Sequence, residues 1–457
     1  MKEEIIMATD KAKALELAKR AEGYIQNGIK EEEVQTVIEE TAASFDRHFN
    51  KGWVPYRDEM SNDKFFAEWK DGQPDTFIGV DGRELIDCLG GFGIFLSGHD
   101  NREIKKTVAA QLDRYAQHCQ DVNNPYQAYF SDLMELITPG DLQYVFPTNG
   151  GTEATEAAMK LIKLATQRKY FISTVNAYHG LTTGALSLIG CPDYRAPFDP
   201  IYPWVQHVKY GDIDQMRNAV ENLAAVGEEV AGIVLEPIQG EGGFVIPPEG
   251  YLQAVRELCD EYGIALMFDE IQTGFGRTGS LFRCEAEGVV PDVMTFGKAV
   301  GGGCVPLTGV IARPWLVECE NSKPLADNPT IVSMPTFGGN PLAMAAGIAS
   351  IRYILENDIP GMVKAKGEYF KKGLEAVAAK YPDVIKEVRG TGLMLGVVFG
   401  DWEKSHYAVK LMSTHNVMTS AAMNLPEMIR FEPPAVITEE HIDQVCAALE
   451  EVAKEMQ

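Results

Sequence analysis

Two short apolar runs in this sequence close on residues that could do chemistry. IALMFDE carries Asp269 near its end, and VMTFGK ends on Lys298. A lysine amine held out of water attacks carbonyl carbons and carries protons, and a carboxylate in the same crevice can keep a proton on a basic nitrogen. Either residue alone would be an ordinary strand-end ion pair. Their surroundings change that reading. Gly301, Gly302 and Gly303 follow Lys298 closely, and glycines let backbone approach a bulky ligand or take up positive φ. A third feature is Thr148-Asn149-Gly150-Gly151-Thr152-Glu153, between the run LQYVFP and a strongly helical stretch. Strand, glycine turn and helix start form a cradle for an anion, because free N–H groups and the positive end of the helix dipole face outward there. Thr152 would equally serve as a plain N-cap. The pattern matches neither the P-loop nor the dinucleotide GxGxxG, so nucleotide binding is not favoured. A fourth is Tyr178-His179-Gly180, just beyond the run YFISTV, where an aromatic ring could stack on a flat heterocycle. A fifth is Glu241, on the glycine-rich loop QGEGG after VAGIVLEP.

Lysine, acid, anion cradle and stacking ring are together the parts that a pyridoxal phosphate (PLP) site requires. The amine binds the aldehyde carbon, the carboxylate keeps the pyridine nitrogen protonated, and the cradle holds the phosphate. No metal site is read from the sequence, since the eight cysteines are scattered without CxxC or other ligand spacing and suit reduced thiols.

These residues must be held by the elements between them. From about residue 100 to 310, short apolar runs alternate with helical stretches, which argues for βαβ units and a mostly parallel sheet covered on both faces. In such sheets ligands gather beyond the carboxyl ends of the strands, where Asp269 and Lys298 fall. The expected fold class is therefore α/β. A large domain is assigned to residues 99–341. A smaller α+β domain is assembled from both ends of the chain: an N-terminal arm with part of the small domain over 1–98, and a C-terminal part over 342–457. Residues 10–50 read as helical and highly charged, and a last helix is expected from about Thr438.

The bulk numbers agree with a large globular enzyme. The chain has 457 residues, 45% hydrophobic and 23% charged, enough for two domains around a sizeable core. A formal charge of −25 repels nucleic-acid phosphates and anionic lipid, so neither is expected as a partner. The N-terminus has no apolar leader pattern and no run is long enough to cross a bilayer, so a cytoplasmic location is expected.

Several ordered motifs, from Asp87 to about Pro434, resemble the class III, ornithine-type aminotransferases of the type I PLP-transferase fold. They are IDCLGGFGIFLSGH, NGGTEATEAAMK, AYHG, LEPIQGEGG, FDEIQTGFGRTG, PDVMTFGKAVGGG, TFGGNPLA and RGTGLMLG. Within that family, LIDCLGGFGIF, TFGGNPLA and IRFEPP are most similar to the putrescine-type members. The resemblance implies that Lys298 is the Schiff-base lysine, Asp269 the pyridinium partner and Gln272 a partner of the ring's 3-oxygen. It further implies that Gly151 and Thr152 hold the phosphate beside Gly150 and that Tyr178 stacks on the ring next to His179. Thr336 would reach the phosphate from a neighbouring subunit. A shared site implies a homodimer, with a tetramer as the larger alternative. Gly150 departs from the serine usual in the family, which removes a hydroxyl but leaves backbone donors.

The resemblance also bears on substrates. Relatives that accept 4-aminobutyrate or acetylornithine carry arginine where this chain has Leu181, and those that accept ornithine carry tyrosine where it has Phe92. An apolar residue at each place leaves a distal carboxylate unpaired, which is costly when buried. A diamine such as putrescine or cadaverine, or a similar ω-amine, is the expected donor. Putrescine-type relatives often have a basic residue at the place of Leu181, so the individual diamine stays open. Arg430 matches the arginine that grips the α-carboxylate of the acceptor, 2-oxoglutarate or pyruvate, and Glu241 matches the carboxylate that pairs with it when no acid is bound. The alternatives are an ω-amine:pyruvate or 4-aminobutyrate transaminase, an aminomutase, or a PLP-binding protein without turnover.

Overall fold

The computed structural model describes residues 10–56, 68–118, 121–199 and 201–457; Cys119 and residues 1–9, read above as lacking an apolar leader pattern, lie outside them. The charged N-terminal stretch forms two helices, α1 (Lys11–Asn27) and α2 (Val34–His48), which bury no residue. Beyond them come three short strands, β1 (Glu68–Asp71), β2 (Thr76–Gly79) and β3 (Glu84–Asp87).

The alternating region folds as expected into one seven-stranded sheet. Its strands are β4 (Tyr144–Thr148), β5 (Tyr170–Thr174), β6 (Val205–Val208), β7 (Val230–Leu235), β8 (Ala265–Asp269), β9 (Val293–Phe296) and β10 (Thr308–Ala312), in the order β4-β10-β9-β8-β7-β5-β6. β5 to β9 pair in parallel. β7, β8 and β9 are buried along their whole length, as a sheet covered on both faces requires. The helix after β4, α3 (Gly151–Thr166), presents Ala154, Ala157, Ala158, Leu161, Ile162 and Ala165 to the sheet. These recur at helical spacing, and the alanines let the helix axis lie close to the strands. β10 departs from the parallel pattern, running antiparallel to both β4 and β9. That reversal puts Thr308 opposite Thr148 at the functional end of β4, with the two hydroxyl oxygens 2.6 Å apart.

The C-terminal region forms β11 (Glu387–Thr391), β12 (Met394–Val398), β13 (Val417–Met418), β14 (Ser420–Ala421) and β15 (Met428–Phe431), with a closing helix α4 (Glu439–Glu455) capped by Thr438. Four of these strands make an antiparallel sheet in the order β11-β12-β15-β14. The fifth, β13, pairs in parallel with β3, so the two ends of the chain share one sheet. Arg277 ties the regions together: its guanidinium, fully enclosed, donates to the carbonyls of Leu393 and Pro433 at 3.1 and 2.5 Å. The seven described cysteines are all free thiols. No described helix is long and apolar enough to cross a membrane.

Candidate active site

A cavity of about 720 Å³ opens beyond the carboxyl ends of β4, β7, β8 and β9. Asp269, the last residue of β8, is buried at its wall with both oxygens occupied. Thr295 donates to Oδ1 at 2.9 Å, as does the Ile271 N–H at 3.2 Å, and His179 Nδ1 lies 2.8 Å from Oδ2. A carboxylate only accepts, which assigns the imidazole proton to Nδ1. His179 Nε2 is then a buried ring nitrogen without a partner among the described residues.

Lys298 follows β9 by two residues and sits at φ 47°, in the left-handed region that non-glycine residues seldom occupy. Strain of this kind collects where a side chain must be aimed. No hydrogen bond or ion pair among the described residues holds its amine. Burial lowers the Lys298 pKa, against the raising pull of Glu432, Glu241 and Asp269, so its neutral, nucleophilic form is more accessible than for a surface lysine.

At the start of α3, Gly150, Gly151 and Thr152 line the same cavity, and no side chain caps this helix. A Cβ at Gly150 would meet nothing within 4 Å, so a serine would fit there sterically. Gly180 brings the Tyr178-His179 segment over this cradle. It sits at φ 117°, and a Cβ there would lie 2.5 Å from Thr152, so only glycine allows the approach. Tyr178 lines the cavity, and its hydroxyl is pushed up to about 12 by burial and by the nearby charge of Glu241, which keeps it neutral.

Arg430 comes from β15 in the other region of the molecule and is wholly enclosed. Its Nη1 donates to Glu241 Oε1 at 3.0 Å, and Nη2 makes a shorter bond to Oε2, giving a bidentate pair. The rings of Phe92 and Phe244 lie 5.2 and 5.7 Å from its guanidinium carbon. Burial tends to raise the Glu241 carboxyl, but the Arg430 charge and hydrogen bonds outweigh it and hold the group below the usual range.

Ten residues singled out from the sequence meet around this one cavity: Gly150, Gly151, Thr152, Tyr178, His179, Leu181, Glu241, Asp269, Gln272 and Lys298. Three do not line it. Arg430 stands behind Glu241, Phe92 covers Arg430, and Thr336 lies exposed on a separate loop. Two carboxylates at the site escaped the sequence reading. Glu236 follows the end of β7 and lines the cavity, its Oε2 without a partner among the described residues. Burial, with Asp269 nearby, pushes its pKa well up, which favours the protonated form. The strand-end rule that selects Asp269 would also have found it. Glu432 is fully buried, and both its oxygens accept from Gln272 Nε2 at 2.9 Å. It stands two residues after Arg430, and the two-residue period of an extended chain would have put both on one face.

These groups suit PLP. The uncapped helix start suits a phosphate, Asp269 suits a protonated ring nitrogen, and the unpaired Lys298 amine suits an aldehyde carbon. Comparison with known proteins agrees. The family model "Aminotransferase class-III" matches residues 59–453. A transaminase from a marine Virgibacillus superposes with a TM-score of 0.78 at 26% identity, over 85% of this chain and 93% of that one. An ornithine aminotransferase from Toxoplasma gondii, with PLP at partial occupancy in its active site, gives 0.75 at 26% over 84% and 88%. An (S)-enantioselective omega-transaminase from Thermomicrobium roseum gives 0.76 at 26% over 84% and 91%. With a family match across most of its length, this chain belongs to the class III aminotransferases and is a PLP-dependent enzyme.

Proposed function

We propose that this enzyme moves an amino group from a diamine such as putrescine or cadaverine, or a similar ω-amine, to 2-oxoglutarate or pyruvate, the two substrates using one site in turn. One observation carries the donor assignment. Among the described residues lining the cavity, Lys298 is the sole lysine or arginine, whereas Glu236, Glu241 and Asp269 are all acids. Leu181 stands exposed at the wall, and Arg430 is already engaged by Glu241. A donor with a distal carboxylate meets no free cation among the described lining residues, whereas one with a second amine meets the Glu236 carboxyl, whose Oε2 has no hydrogen-bond partner among the described residues.

Bound PLP supplies an aldehyde carbon for amines and a ring that accepts electrons from the adjoining carbon. Lys298 supplies the anchoring amine and takes the proton from the donor's amine-bearing carbon. Asp269 holds a proton at the ring nitrogen and is itself oriented by Thr295, His179 and the Ile271 N–H. Gly150, Gly151 and Thr152 bind the phosphate, and Gln272 contacts the ring's 3-oxygen. Glu241 neutralises Arg430 while the amine is bound and gives way to the α-carboxylate of the acceptor. Thr336, exposed and away from the cavity of its own chain, serves the site of a neighbouring copy in a homodimer.

Asp269→Asn is expected to leave the fold intact by circular dichroism while lowering turnover by about 10²–10³, since an amide no longer holds the ring proton. Equal turnover would reduce Asp269 to a strand-end carboxylate. Arg430→Ala is expected to slow the acceptor half-reaction far more than the donor half, because only the acceptor brings an α-carboxylate. Single-turnover measurements of each half check this; an equal loss in both would make Arg430 structural. The donor assignment is tested by following the near-visible cofactor band while amines are added singly. The expected order puts putrescine and cadaverine ahead of 4-aminobutyrate and N-acetylornithine, and a lead for 4-aminobutyrate would favour the 4-aminobutyrate transaminase alternative.

A further inference from the structure

Glu432 is buried more deeply than the Glu241 carboxylate, yet it has weaker cationic support. Its oxygens accept from the neutral Gln272 amide at 2.9 Å, and Arg430 Nη1 reaches Oε2 only at 3.4 Å. A buried carboxylate without a close bidentate cation is a poor choice for stability alone, and such groups concentrate at functional sites. Two further observations say what it faces. The empty side-chain position of Gly93 lies 3.5 Å from Lys298 Cδ and 3.7 Å from Glu432 Oε1, so the lysine stem and this carboxylate flank one glycine. Because a carboxylate only accepts, the Gln272 amide must turn its NH2 toward Glu432, while the rest of Gln272 lines the cavity.

We infer that Glu432 is a positioning residue: the fixed carboxylate that holds the amide orientation of Gln272 and sets a buried acidic group beside the Lys298 side chain. This rests on the roles proposed above for Lys298 and Glu241. Glu241 is the movable charge, released when an acceptor carboxylate takes Arg430. Glu432 is enclosed on all sides and keeps its place against Gln272 and Arg430 through both half-reactions. The other groups acting on Lys298 include Glu241 and Asp269, which favour its cationic form, Arg430, which opposes it, and Glu236 across the cavity; Arg277 also faces Glu432. Removing Glu432 takes one carboxylate from this balance, so the cationic form of the Lys298 nitrogen should give way at lower pH.

The test is a pH titration of the near-visible band of the PLP-loaded holoenzyme, comparing wild type with Glu432→Gln, Glu432→Ala and Glu432→Asp. Both neutral variants are expected to lower the midpoint by about one pH unit, as for loss of one nearby charge in a dry site. Glu432→Asp, which keeps the charge, should stay close to wild type. If Gln does not fold, Ala carries the same test without a new buried polar group. A neutral variant that titrates like wild type, or an Asp variant that shifts as far as the neutral ones, overturns the inference and leaves Glu432 structural. Lys298→Ala separates this from failure of the underlying assignment: if that variant keeps the band, the Lys298 assignment fails whatever Glu432 does.

Discussion

Replacing Lys298 with alanine is expected to abolish the near-visible band of the purified protein and to reduce multiple turnover by about 10⁴-fold or more. The magnitude follows from two losses at one atom. A positioned general base contributes about 10²–10⁴, and the same amine is the covalent anchor that divides one hard step into easier ones. The fold should survive, because no described hydrogen bond or ion pair depends on the Lys298 amine, and the residue lies at a cavity wall rather than in packed core. Circular dichroism and thermal melting would show this directly. Relief of the positive φ at Lys298 is not expected from alanine, which shares the same backbone restriction, whereas Lys298→Gly would combine chemical loss with removal of strain. A small free amine added to Lys298→Ala should restore part of the proton transfer but not the anchoring. Near-normal turnover in the variant would end the assignment.

The second large effect concerns donor choice. Putrescine or cadaverine should exceed 4-aminobutyrate and N-acetylornithine in kcat/KM by roughly two to four decades. A charge left without a partner in a buried site costs about 3–5 kcal/mol, and water reaching the half-exposed Leu181 position takes the effect toward the lower end, whereas one methylene more or less between diamines is worth only about 1–3 kcal/mol. Carboxylate rejection should therefore be sharp and chain-length preference blunt. Leu181→Arg is the constructive version of the same test. Leu181 is 54% exposed, so a longer side chain can be accommodated there without overpacking, and its guanidinium would add a cation where the wall now has none. The variant is expected to gain activity on 4-aminobutyrate and lose it on diamines, whose second ammonium it repels. If wild type already prefers 4-aminobutyrate, another cation must bind that carboxylate. The donor assignment then falls, while membership of the aminotransferase family stands on other observations.

The sequence by itself was enough for the parts whose signal is local. Strand and helix periodicities in residues 100–310 foretold the parallel sheet, because each run's burial is written in its own residues. Asp269 and Lys298 could be picked out as strand-end residues before any contact was known, and the glycine turn before α3 could be read as an anion cradle. Only the tertiary structure decided what lies between distant segments. The antiparallel insertion of β10 and the parallel pairing of β13 with β3 are choices of neighbour, and a strand's residues specify burial and alternation but not its partner. The pairing of Arg430 with Glu241 joins residues far apart in sequence, and it could be named only through family resemblance. Phe92, read as a substrate-facing residue, lays its ring over that arginine. Glu432 lay beyond the local reading for the same reason. In sequence it is one acid beside two prolines; its place beside Arg430 follows from the two-residue strand period, but its contact with Gln272 exists only because β15 carries it against the end of the parallel sheet.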